Sequence, residues 1–139
     1  MKDREFRAQK FVLVDDEDRP RAELSIVDGA VALSLGDANR EMRLSLIVDK
    51  KGEPSIRLCG EDGRPRAVVI LSNGHPRVGL HDSAGTARIF LGVTANDEPI
   101  VALHDKTGKR RASLALGFDG APGLVFADSG GVPVYRIPE

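Results

Sequence analysis

One frame, written six times, limits this chain more than any other feature of it. The strings LHDSAGTARIFL from Leu80 and LHDKTGKRRASL from Leu103 share their leucines, histidine, aspartate and glycine at equal offsets. With the aspartate as position zero, the frame recurs at Asp15, Asp37, Gly60, Asp82, Asp105 and Asp128, at intervals of 22, 23, 22, 23 and 23 residues. Six positions later stand Arg21, Arg43, Arg66, Arg88 and Arg111, and then Val134. Two and four positions before zero, and nine after it, every copy has an apolar residue. Self-similarity at a fixed short period marks a chain built from repeated supersecondary units.

Within each copy apolar residues alternate with others on both sides of zero, the period of a half-buried strand. Gly-containing turns separate the strands, among them Asp28-Gly29, Asp62-Gly63, Asn73-Gly74, Thr107-Gly108 and Gly130-Gly131. Folding the chain at two-residue loops of this kind pairs Leu80 with Ile89, Val78 with Leu91, Leu24 with Leu33 and Val69 with Val78. The 23-residue copies need one more loop residue to keep the same facing. Lys50-Lys51-Gly52 and Phe118-Asp119-Gly120 supply it, pairing Leu46 with Ile56 and Leu114 with Leu124. A one-residue slip would turn every side chain to the other face, so loop lengths that track register argue for sequential antiparallel hairpins.

The expected fold is therefore all-β, with about twelve short antiparallel strands in six tandem hairpin repeats over residues 9–139, after a charged leader over 1–8. One face is rich in Leu, Ile and Val and demands cover. The meander is expected to close as a barrel or sandwich, or as a three-fold, trefoil-like fold, or else to dock against a partner. A β-helix solenoid is the alternative. The hairpin grammar is similar to that of YD and MORN repeats in turn type and spacing along the whole chain, which implies strings of β-hairpins. The repeated aromatics of those families are absent, so no residue roles carry over.

Composition narrows the function classes. The 139 residues hold 20 Lys and Arg against 21 Asp and Glu, a net charge of −1, which argues against a nucleic-acid or anionic-membrane binder. Aromatics are 4% and Trp is absent, which disfavours stacking on bases or sugars. No apolar run is long enough to span a bilayer, no signal peptide is visible, and Cys59 is the single cysteine, so the cytoplasm is the default expectation.

Three columns invite chemistry. Cys59, His81 and His104 precede zero in consecutive copies and are metal-ligand types. In a meander, however, equivalent positions lie two strands apart, roughly 9.5 Å, too far to share one ion. The repeated aspartate reads as turn chemistry, with too few oxygens per loop for calcium. The arginine column offers a row of guanidinium groups, with Arg66, Arg88 and Arg111 expected opposite Cys59, His81 and His104. No catalytic motif appears, and neither a metal nor another cofactor is expected.

The face opposite the leucines also carries apolar residues, notably Val68, Ile70 and Phe90. Together with Arg66, Arg88 and Arg111 these form the expected partner-binding set. The functional expectation is a non-enzymatic structural or protein-interaction module, part of a homo-oligomer or larger assembly. A ligand- or glycan-binding β domain is the alternative.

Overall fold

A computed structural model describes residues 5–138. It contains twelve strands and, among the described residues, no helix. In chain order they are β1 (Lys10–Val14), β2 (Pro20–Val27), β3 (Ala30–Gly36), β4 (Met42–Val48), β5 (Pro54–Cys59), β6 (Pro65–Ser72), β7 (His75–His81), β8 (Ala87–Val93), β9 (Pro99–His104), β10 (Arg110–Leu116), β11 (Pro122–Ala127) and β12 (Pro133–Ile137). Residues 1–4 of the charged leader lie outside the described residues.

The strands form one sheet in strictly sequential order, every neighbouring pair antiparallel. All six residue pairs expected from the loop lengths occur, from Leu24 with Leu33 to Leu114 with Leu124. Consecutive antiparallel pairing leaves no place for a solenoid, whose successive coils stack in parallel.

Closure is different. Strands β1 and β12 each pair on one side only, and every strand packs only against its sequence neighbours. The described chain is an open single-layer sheet, where a barrel, a sandwich or a trefoil-like fold was expected. The physical reason is that hairpin pairing settles only local facing. Closing a sheet also needs tilt and stagger summed correctly over all strands.

The two faces differ in kind. One row of directly paired residues crosses the whole sheet: Phe11, Leu24, Leu33, Leu46, Ile56, Val69, Val78, Leu91, Val101, Leu114, Leu124 and Ile137. A parallel row runs from Leu13 through Leu35, Leu58, Leu80 and Leu103 to Tyr135. Neither row contains a charged residue. With no second layer above it this leucine face stands open, so Leu58, Leu91 and Leu114 are 48%, 49% and 52% exposed.

The opposite face is the better buried one. Among its most buried side chains are the small Ser45, Ala102 and Ser113, which have larger cross-strand neighbours: Arg57 stands beside Ser45, and Phe90 beside Ala102. Ser45 is wholly inaccessible, and its Oγ has no hydrogen-bond partner. Expecting the leucines to be this chain's own core is thus corrected: within one chain they are its most open apolar surface.

Candidate functional site

The repeated aspartate builds the turns. At Asp82 the backbone N–H donates to the Thr86 carbonyl at 3.0 Å, and Gly85 N–H donates to the Asp82 carbonyl at 3.0 Å. The Asp82 Oδ1 accepts from the N–H groups of Ala84 and Thr86, both at 3.0 Å. This is a three-residue loop with a left-handed glycine at its end, held by a side-chain acceptor that mimics a backbone carbonyl. The same pair of backbone bonds recurs in nine of the eleven turns, and Asp28-Gly29 and Asn73-Gly74 make the two tight ones. Thr94 Oγ1 takes the carboxylate's place in its own loop.

Two of the nine turns open with glycine in place of aspartate or threonine, Gly60 and Gly117. In both, the acceptor moves two residues on: Asp62 Oδ1 accepts from Arg64 N–H, and Asp119 Oδ1 from Ala121 N–H. The departure at Gly60 is therefore compensated inside its own loop.

These loops are one residue longer than the two-residue turns read from the sequence at Asp62-Gly63, Ala84-Gly85, Thr107-Gly108 and Gly130-Gly131. A β-bulge restores the register. His81 pairs with Ala87 while Leu80 pairs with Ile89, so Arg88 is the extra residue. Arg21, Arg43, Arg66 and Arg111 occupy the same bulge in their copies. The expected placement of Arg88 opposite His81 is corrected to Ala87, with Arg66 and Arg111 displaced likewise by Pro65 and Arg110.

A bulge re-aims the side chain it carries. Arg88 Nε donates to the carbonyl of His104, the last residue of the neighbouring strand β9, at 2.9 Å, while Nη1 reaches Asp82 Oδ2 at 3.3 Å. Arg111 repeats the pattern on Ala127 and Asp105, and Arg43 on Cys59 and Asp37. Arg66, lacking an aspartate at 60, bonds the Asp82 carbonyl at 2.7 Å and Asp62 at 3.0 Å. Each arginine therefore ties its own turn to the next repeat. These arginine side chains are about 31–40% exposed, and their bonds to the carbonyls and carboxylates already use part of their donor capacity within the chain.

The carboxylates register this environment. At Asp105 the Thr107 hydroxyl is the strongest influence; despite partial desolvation, it and the N–H groups of Thr107 and Lys109 and the Arg111 guanidinium hold the group at about 2, against the usual 3.8. Desolvation is the largest single effect at Asp15 and raises it. The Arg19 backbone and side chain with the Glu17 N–H together outweigh this, and Asp15 also falls to about 2.

Cys59, His81 and His104 end strands β5, β7 and β9, each two strands from the next in the sheet. The carbonyls of Cys59 and His104, rather than their side chains, enter the pattern by accepting from arginines, and beside His81 it is the Asp82 carbonyl that does so. The Nδ1 atoms of His81 and His104 are buried without a partner. Among the described residues, no three His, Cys, Asp or Glu side chains gather where they could share a metal ion.

Of the apolar partner-binding candidates, Val68, Ile70 and Phe90 lie on the same face and are half-buried. Phe90 packs beside Gly92, leaving little room for a side chain there. The larger open apolar surface is the leucine face. Two shallow depressions in it, of about 570 and 460 Å3, meet at Val69 and Pro76. Sequence reasoning identified these leucines as a face needing cover but placed the partner contact on the other side. The absence of any charge from Phe11 to Ile137 along the paired row was the available signal.

Among the described residues, no helix is long and apolar enough to cross a membrane. No family model and no curated protein matches the chain.

Proposed function

We propose that this chain is a non-enzymatic structural or protein-association module whose working surface is the leucine face. One observation carries the reading. The chain exposes 10184 Å2, whereas a compact monomer of its mass, 14.9 kDa, exposes roughly 7,000 Å2. An excess of about 3,000 Å2 is what an extended sheet shows when it has no second layer of its own, and the leucine face is part of it. Charge is depleted on that face, as in the buried centre of a protein interface. The arginines and aspartates support the same reading, because each pair is spent within the chain, tying a turn to the next repeat.

The test is hydroxyl-radical footprinting of the protein isolated from its native source, compared with the urea-unfolded chain. Protection of Leu58, Leu91 and Leu114 in the native material supports a covered association face. Oxidation of these leucines at the rate of other half-exposed side chains refutes it.

A further inference from the structure

Resting on that reading, we infer that the leucine face is covered by the leucine face of another copy of this chain. Three observations select this occupant. The first is shape along the sheet. Twelve strands at about 4.8 Å spacing make a ribbon roughly 50 Å long, only about three outward-facing residues wide. A partner must match it with an equally long apolar face of the same strand spacing. A second copy does so by construction, letting rows of Leu and Val interdigitate as in face-to-face sheets about 10 Å apart.

The second is charge. No side chain of either full row is charged, so two such faces meet without stranding an ion in the contact. The net charge of −1 offers little repulsion between copies and no basic excess to favour a membrane surface. The third is area. A face roughly 50 Å by 20 Å covers on the order of 1,000 Å2 per chain, so two copies face to face bury about 2,000 Å2 in total, which exceeds what a transient encounter buries and reaches the range of obligate homo-oligomers.

Recombinant full-length chain carrying Cys59→Ser and Leu91→Cys tests the inference. Leu114→Cys in the same background is the second variant, in case the first fails to fold. Each is treated with a short bis-maleimide, its native mass is measured, and its thiol-labelling rate is compared with that of the unfolded chain. The expected result is a native mass of at least two chains, labelling slowed tenfold or more, and covalent dimers through position 91 or 114. The matching Val68→Cys variant, on the opposite face, should not cross-link.

A folded monomer at every concentration, with position 91 labelled freely and a hydrophobic dye bound, overturns the inference while leaving a foreign partner for the same face. An oligomer that cross-links through position 68 but not 91 also overturns it. A monomer with position 91 protected means that the sheet covers itself, and both readings fall.

Discussion

Removing one arginine from its bulge should weaken the whole sheet, because that side chain joins parts that adjacent hairpins would otherwise link only through the backbone. In Arg88→Ala the His104 carbonyl loses its 2.9 Å partner, and the turn at Asp82 loses its 3.3 Å contact. A hydrogen bond from a charged donor contributes about 1.5–3 kcal/mol when well buried. The Arg88 side chain is 40% exposed, so water can replace part of the bond and the ion pair adds little. The expected loss is about 1–2 kcal/mol per chain, or a fall of roughly 3–8 °C in Tm for a domain this size. Arg88→Lys should recover only a small part, because an ammonium cannot address the carbonyl and the carboxylate in the fork geometry of a guanidinium. Urea unfolding followed by circular dichroism, at one fixed chain concentration, reads the difference. Exposed Arg110→Ala is the control, expected within about 0.5 kcal/mol of the parent. If Arg88→Ala and Arg110→Ala prove equally stable, the arginines do not tie the repeats together.

Arg40 occupies the left-handed position of its turn, φ 68°, where Gly85 and Gly108 stand in others. Arg40→Gly relieves about 1–2 kcal/mol of strain and costs up to about 1 kcal/mol in unfolded-chain entropy, so a net gain of about 0.5–1 kcal/mol is expected in the same urea assay. Gly92→Ala should do the reverse: its Cβ would sit 2.8 Å from the backbone carbonyl of Pro76, which cannot yield as a side chain would, and a loss of about 1–3 kcal/mol is expected in thermal unfolding. Asp15 and Asp105 titrate at about 2 in the folded chain and near 3.8 unfolded, so the stability they contribute is complete above about pH 5 and drains away as pH falls from 3.8 toward 2. Acid unfolding of Asp105→Asn should show a shallower loss across that window than the parent.

How far the sequence could be read depended on what each feature encodes. Facing is encoded twice, in the apolar alternation and in loop length, and the pairs from Leu24 with Leu33 to Leu114 with Leu124 follow from it. The bulges were invisible to that logic, because a two-residue turn and a three-residue turn followed by one bulged residue give Leu80 and Ile89 the same pairing. The signal that could have revealed them is the fixed six-residue distance from Asp82 to Arg88, which places a guanidinium within reach of that carboxylate. The substitution of Asp62 for an aspartate at position 60 became intelligible only with the loop geometry in view, since either position can satisfy the same turn. Closure was not legible at all. It depends on twist accumulated over twelve strands, which no pair of residues specifies. For the same reason the leucines could be identified as a face needing cover, but not as one left open by the chain that carries them.

The central claim is that this sheet lacks a layer that another copy provides, and the dependence of its stability on chain concentration tests that claim most directly. Urea midpoints measured over at least a hundredfold range of concentration should rise steadily. For a dimer that folds and associates together, each tenfold increase adds about 1.4 kcal/mol to the free energy of unfolding per dimer. A midpoint that stays fixed across the whole range, with a cooperative transition, would mean that a single chain is stable with its leucine face open, and would contradict the account.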